Sequence, residues 1–432
     1  MNATSTAGVM RRRTGAYWTC HLLRWLPFGL IMPVFALLPA QRGLSLPEVG
    51  VIFGVYTATA AILELPTGTL ADIVGRRPVL VIAALLETAC FAGFLVADTA
   101  LHFSIAVALG GVGRALNSGA LEAWYVDGVY TEQPDTDVRP AIGTAMFLGN
   151  AAMLVGALTV AVLPLLPASK WAGEPALLPF FGAVPCGILQ VAAVLLLVKE
   201  PRRARGAGAM LRAVRGFPAF GWDSARMSVR QGSLRLLLVA GLGVGVGLGA
   251  AETFWQPEFA RRIGDPIRAT SMLGVLVVAA TVAGGIGSLL AARMPSRVAH
   301  RKDLLCAGLL VIIGLAIAGM AIAPSVEIAA LCFVGVYFFL ELRAPLAQTL
   351  LHHACPPGRR ASVLSAYSMS TNAGAVVGSL GLGTVLGTHG ASVIWLAAAA
   401  AVALASIAYL RLQHGHDSPA TVTSRVDAAI TG

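Results

Sequence analysis

The sequence predicts an all-α membrane protein with twelve membrane-spanning helices in two groups of six. Three observations predict it. Apolar residues make up 57% of the 432 positions and charged residues only 12%, about half the charged share of a soluble domain. The apolar residues gather into twelve runs, each near the ~20 residues that cross the hydrocarbon core of a bilayer as helix. A polar, basic stretch at 199–233 divides the runs six and six.

The first run covers 16–39 and follows the basic triplet Arg11-Arg12-Arg13. That order mimics a secretory or twin-Arg signal. The run is interrupted by Arg24, however, and lacks a small-x-small cleavage site, so it reads as a membrane helix retained in the mature chain. Its other membrane charge, His21, lies with Arg24 toward the inner end, where both could instead snorkel to the interface. Further runs follow at 47–66, 78–97, 102–126, 139–163 and 176–198, which together set a first unit of 1–198. In the fourth run Arg114, Asn117, Ser118, Leu121, Glu122 and Tyr125 fall at i, i+3, i+4, i+7, i+8 and i+11. On an uninterrupted helix that spacing puts most of the polar groups on one face. A lipid-facing Arg at mid-span costs at least ~2.5–3.5 kcal/mol, so the face should line protein or water. The alternative is a packing helix whose Arg makes one fixed ion pair.

Residues 199–233 carry eight Lys or Arg against Glu200 and Asp223 and read as a cytoplasmic linker. Part of it, from Met210 to Phe220, reads either as an amphipathic helix on an anionic leaflet or as plain solvated chain. The second unit, 234–411, holds runs at 234–257, 269–292, 303–323, 326–350, 361–387 and 391–411, and the tail 412–432 is expected to be disordered. Gly243-x-Gly245-x-Gly247-x-Gly249 lies inside an apolar run with no strand–turn–helix context, so it signals close helix packing and not a dinucleotide loop. The same reading applies to Gly374/Gly378 and Gly383/Gly387. Glu341 and Arg343 sit in the tenth run ahead of Pro345, which is expected to kink it. His352-His353-x-Cys355 and the tail histidines His414 and His416 do not make a metal site, and six cysteines without paired spacing make neither a disulfide framework nor a zinc site.

The net charge of +10 comes from Arg scattered through inter-helix loops, which excludes a nucleic-acid surface and fits the positive-inside bias. Arg11 to Arg13, Arg76/Arg77, the linker, Arg293/Arg297/Arg301/Lys302 and Arg359/Arg360 share one side, with Arg42, Lys170 and Arg261/Arg262/Arg268 as exceptions. Both termini are therefore expected in the cytoplasm. The Ala, Gly and Arg bias suggests a GC-rich bacterium, and hence a bacterial cytoplasmic membrane.

Between the second and third runs lies Gly68-Thr69-Leu70-Ala71-Asp72-Ile73-Val74-Gly75-Arg76-Arg77. Gly68 permits close helix approach, Gly75 a left-handed turn, and the arginines suit a cytoplasmic loop. The stretch resembles the loop between the second and third helices of the major facilitator superfamily, Gly-x-Leu-Ala-Asp-x-x-Gly-Arg-Arg/Lys, at Gly68, Leu70, Ala71, Asp72, Gly75, Arg76 and Arg77. A worn copy, Gly287 to Arg293 with Ala291 in place of the Asp, supports two related halves. The first run (Gly29, Pro33) and the Arg114 region are similar to the proton-coupled drug exporters of that superfamily. The Gly-Pro pair of their fifth helix is missing here, where Gly143, Gly149 and Gly156 stand alone, and Ser118 takes a place they give to Gly.

The resemblance implies two six-helix bundles around a midplane cavity lined by the first, fourth, seventh and tenth spans. It implies a secondary transporter, not an enzyme, that works as a monomer in the lipid bilayer and needs no cofactor beyond a proton gradient. The leading expectation is an antiporter for efflux of an amphipathic, drug-like molecule, as in multidrug resistance. Metabolite uptake or facilitated diffusion is the alternative, and a non-transporting sensor the second. Gly68, Asp72, Gly75, Arg76 and Arg77 are expected to gate the cytoplasmic ends. Arg24, Asn117, Trp124, Trp255, Gln256, Tyr337 and Arg343 are expected at the cavity. Proton coupling is expected at Glu341 with Arg114 as partner, with Glu122 and Glu252 as relays; the alternative is that Glu341 only neutralises Arg343.

Overall fold

The computed structural model describes residues 3–134, 136–166, 174–200, 232–295, 301–355 and 360–413. The expected linker helix and the tail lie outside these residues. Among the described residues the chain is helical, and its segments match the twelve expected spans one to one. The first half comprises α1 (Ala3–Ile31) with the short α2 (Leu37–Gln41), α3 (Leu46–Val74), α4 (Arg76–Val96), α5 (Ala100–Asn117) with α6 (Ala120–Glu132), α7 (Arg139–Val162) and α8 (Leu178–Leu197). The second comprises α9 (Gly232–Ile263), α10 (Pro266–Ala292), α11 (Lys302–Ile322), α12 (Val326–Ala354), α13 (Arg360–Val376) with α14 (Leu382–Leu386), and α15 (Ala391–Gln413).

Among the described residues, eight segments are long and apolar enough to cross a membrane by length and composition alone. The other four are the first, fourth, tenth and eleventh, and each carries charge or a break. The breaks correct three spans expected to run straight. Pro33 has no N–H to continue α1, and the chain turns through 32–36 before α2 resumes. Gly119 takes the left-handed φ of 69° between α5 and α6. Val377–Gly381 forms a π-helical turn between α13 and α14. Pro345, in contrast, lies inside an uninterrupted α12.

Local chemistry sets the helix ends. At the start of α3, Glu48 Oε2 accepts from the Ser45 N–H at 2.8 Å, one arm of a capping box. Asp265 Oδ1 accepts the Arg268 N–H at 2.7 Å to open α10. At Gly75, φ is 105°, a value that favours glycine, and α3 turns there directly into α4.

Small residues let the second half close up as expected. A Cβ on Gly243 or Gly247 would strike Ala405 or Val402 of α15, whereas one on Gly245 or Gly249 would strike the backbone of Thr371 or Ala375 in α13. Alternate glycines thus face two different neighbours, and Gly374 of α13 and Gly378 of the π-helical turn return the contact against the Leu242 and Val246 carbonyls.

We define the linker end of the bundle as the end where α8 finishes and α9 begins. The halves meet at the opposite end. There Gly50 of α3 packs on the Ser379 carbonyl, and Gly274 of α10 packs on Ala157 and Ala161 of α7. Ser271 donates to the Ala161 carbonyl across the same seam. Toward the linker end α3 and α13 leave a groove of about 300 Å³ between Ala61, Glu64, Leu364, Ser365, Ser368 and Met369.

Gly245→Ala should destabilise the folded protein by ~1–3 kcal/mol through overpacking against backbone, while Gly285→Ala, which meets open space, should change little. Thermal unfolding of the two variants in detergent checks the contrast. Equal midpoints would mean that α9 and α13 are not tightly held.

Candidate functional site

A cavity of about 300 Å³ lies between the halves, at the small end of the range for organic ligands. Six aromatic residues contribute to its wall: Trp25 and Phe28 of α1, Phe53 and Tyr56 of α3, Phe91 of α4, and Phe35 from the turn after α1. The rings interlock, with Phe28 edge-on to Phe91 at 5.8 Å and Phe35 edge-on to Phe53 at 5.1 Å between centroids. Into this wall project Arg24, Glu87, Arg114, Glu252 and Gln256.

Of the residues expected at the cavity, Arg24 and Gln256 line it, and so do Arg114 and Glu252. Arg114 sits with its guanidinium carbon 5.6 Å from the Tyr56 ring centre. The fields of Glu252 and Glu64 reach it. Glu252 accepts from the Tyr337 hydroxyl at 3.2 Å, so Tyr337 supports the wall from behind. Asn117 is buried against Glu87. The carboxylate nearest Arg114 from the second half is thus Glu252. Glu341 is exposed, one turn from Tyr337 and beside Gly284, off the cavity wall.

Three expected cavity residues belong elsewhere. Trp124 is buried at the linker end of the first half, where its Nε1 donates to the Lys199 carbonyl at 3.1 Å. The break at Ser118–Gly119 resets the helical register, so the face shared by Arg114 and Asn117 does not continue to Trp124, and Glu122 stands exposed on α6. Trp255 is fully buried within the second half, stacked on Phe333 at 4.4 Å. It lies one helical step off the face that Glu252 and Gln256 share at i and i+4. Arg343 is buried and donates to the Tyr409 hydroxyl at 3.0 Å. Two residues past Glu341, it points to the opposite side of α12.

The sequence reading missed Glu87, a carboxylate only 1% exposed on the cavity wall. The signal was available: it is an acid in the middle of an apolar span, and such residues are rarely idle. Tyr56 and Gln190 were missed because neither stands out from apolar neighbours by charge.

Gln256 does more than line the cavity. Its Oε1 accepts from the Ala36 N–H at 2.7 Å and the Leu37 N–H at 3.1 Å, and its Nε2 donates to the Met32 carbonyl at 2.7 Å. These are peptide groups released by the break between α1 and α2. One buried side chain of the second half therefore completes a broken helix of the first, at the end where the halves touch.

The expected gate is seen in part. The surroundings of Gly68 and the side chain of Asp72 lie outside the described part of the structure. Arg76 pairs with Asp127 of α6 at 2.6 Å. Arg77 donates to the Leu195 carbonyl at 2.7 Å, and its backbone N–H to Glu200 at 3.0 Å. These contacts bind the α3–α4 turn to α6 and to the exit of α8, all within the first half.

A family model described as Major Facilitator Superfamily matches residues 17–297 and 268–428. The chain is similar to the inner membrane transport protein YajR of Escherichia coli (strain K12), with 35% identity over 72 residues, 16% of this chain and 16% of that protein. Among solved structures it resembles the nucleoside transporter NupG (12% identity, TM-score 0.73, covering 92% of this chain and 98% of that one). It also resembles a bacterial homolog of the human lysosomal transporter Spinster (16%, TM-score 0.69, 97% and 100%). The human organic anion transporter MFSD10 is more distant in shape (16%, TM-score 0.57, 93% and 99%). At these identities the likeness to solved structures is one of fold.

Gln256→Leu removes three hydrogen bonds across the seam and should raise amide hydrogen exchange in the 32–40 segment by about tenfold or more, since unpaired buried peptide groups cost ~1–3 kcal/mol each. Gln256→Glu, which in its ionised form keeps the acceptor but not the donor, should fall between. Unchanged exchange in the Leu variant would mean that Gln256 does not hold the seam.

Proposed function

The chain belongs to the major facilitator superfamily, and from that premise we propose that it is a secondary transporter carrying a small amphipathic organic molecule by alternating access. The observation that carries this reading is the cavity itself: an aromatic wall with charged groups set into it, closed at one end by Gln256 and the α3 and α7 seams. An aromatic wall receives an apolar body, and the few polar groups fix its orientation. We place the linker end in the cytoplasm because the basic residues gather there, which makes this arrangement inward-open. The protein then sits in a bacterial cytoplasmic membrane, works as a monomer and carries no catalytic role.

Coupling to protons is the proposed energy source. Arg114 and Glu252 come from opposite halves and meet across the cavity, so a change in the charge of Glu252 would be felt directly by the first half. Glu252, expected as a relay, thus takes the coupling place expected of Glu341, while Glu341 is proposed beside Glu122 as a relay outside the cavity wall. Arg76, Arg77 and Gly75, with Gly68 and Asp72 before them, are proposed to hold the cytoplasmic end of the first half together as the gate moves. Export of drug-like compounds is the leading direction. Uptake or facilitated diffusion of a metabolite is kept as a second reading by the absence of a Gly-Pro pair in α7.

Proteoliposomes loaded with a panel of amphipathic compounds test the proposal. Movement that requires an imposed proton gradient is expected, with Glu252→Gln losing gradient-driven transport and retaining exchange. Equilibration that ignores the gradient would select facilitated diffusion, and no movement of any compound would overturn the transport reading.

A further inference from the structure

The cavity holds two cations, and they are not equally committed. Arg114 lies over the Tyr56 ring and in the fields of two carboxylates, Glu252 and Glu64. The Nε of Arg24, in contrast, is buried without a hydrogen-bond partner, and its carboxylate neighbour, Glu87 Oε1, stands off at 3.9 Å. Its remaining contact is the face of Trp25, with the guanidinium carbon 5.2 Å from the ring centre. A guanidinium in a poorly hydrated site is best met by an anion that accepts two of its N–H groups at once. Glu87 supplies charge at a distance but not those hydrogen bonds.

Glu87 is held back by its own surroundings. Gln190 Nε2 donates to its Oε2 at 3.3 Å, while its Oε1 is left unpartnered, as are the Asn117 and Gln190 side-chain oxygens beside it. Gly113 makes room for it, since a Cβ there would stand 2.8 Å from Glu87 Cγ. The titratable or charged groups around it are Arg24 from α1, Tyr56 from α3, Cys90 from α4 itself and Arg114 from α5, with only the neutral Gln190 from α8. Of these, Arg24 is the cation closest to forming an ion pair with it.

We propose that Arg24 anchors the anionic group of an aromatic organic acid, and that Glu87, losing its counter-ion to that group, takes up a proton. The reading rests on the transport function above and specifies its substrate. The ring of the acid lies against Phe28, Phe91 and Trp25, next to Arg24 on the same wall. The substrate carboxylate accepts from the Arg24 guanidinium, and a proton from cavity water binds a Glu87 oxygen; no covalent bond in the substrate changes. The site gains one negative and one positive charge, so its net charge is the same loaded and empty. An isolated buried carboxylate is costly enough that protonation is the cheaper state. One anion and one proton are therefore bound together, the stoichiometry of symport, which for an acid substrate favours the uptake reading over export.

The test uses three compounds that share a naphthalene body: 2-naphthylacetate, its carboxamide and the corresponding primary amine. Their binding to the purified full-length protein is measured in detergent between pH 8 and pH 6. The acid should bind at least about tenfold more tightly than the amide, and its affinity should rise toward low pH by up to about tenfold per unit, the slope for one coupled proton. Arg24→Gln should erase the preference for the acid and leave the amide unchanged, with Arg24→Lys keeping part of it. Glu87→Gln should bind the acid more tightly than the wild type and with no pH dependence, because the competitor for Arg24 is gone. Survival of the acid preference in Arg24→Gln would overturn the proposal, as would equal loss of acid binding in Arg24→Gln and Glu87→Gln. Equal binding of all three compounds to the wild type would overturn the proposal alone, while binding of none would overturn the amphipathic-substrate reading with it.

Discussion

A peptide group inside an apolar bundle must find a partner, and three of the twelve spans break where that demand is hardest to meet. Each break has its own answer. The π-helical turn at Val377–Gly381 redistributes bonds within its own chain. The left-handed Gly119 divides α5 from α6, and the exposed neighbours Ser118 and Gly119 leave the local backbone open rather than enclosed. At 32–36 the partner comes from elsewhere: Gln256 satisfies both sides of the gap with one amide. Part of the contact between the halves at that end and the integrity of the first helix are therefore one set of hydrogen bonds. Separating the halves costs backbone pairing as well as side-chain contact.

The charged residues divide by the same logic. At the linker end Arg76 pairs with Asp127 within the first half. At the opposite end, Arg42 pairs with Glu174 at 3.0 Å and donates to the Phe94 carbonyl at 3.1 Å, and Glu258 is held between Arg261 and Arg262. These ion pairs stay inside one half and stiffen it. The cavity charges are different. Arg24 and Glu87 stand 3.9 Å apart, and Arg114 and Glu252 line the cavity from opposite halves. A buried charge short of hydrogen bonds, as Glu87 is, is expensive to keep unless something arrives to use it.

Much of the architecture was legible in the sequence because membranes enforce simple rules on length and charge. Twelve apolar runs and a basic middle suffice for twelve helices, and the Gly243–Gly249 repeat was readable as packing because four glycines in alternation leave a helix no side chain to pack with. The cavity was less legible. Placing Trp124 there assumed one straight helix from 102 to 126, and nothing but Gly119 announced the break. Trp255 and Arg343 were drawn in by residue type, although their spacing from Gln256 and Glu341 already pointed them off the shared face. Glu87 was passed over because it stands alone in its span, with no neighbouring motif. What Gln256 does could not be read at all, since its partners lie more than two hundred residues away in the chain.

The paired glycines of α9 have a mechanical consequence. Gly245 and Gly249 press on the backbone of α13, whereas Gly243 and Gly247 meet the Ala405 and Val402 side chains of α15. Backbone against backbone is the least compressible contact that a bundle offers. α9 and α13 so joined behave as one stiff pair, with Gln256 near one end of α9 and the linker at the other. A small tilt at the seam is then not absorbed along the way but arrives at the far end enlarged by the length of the lever.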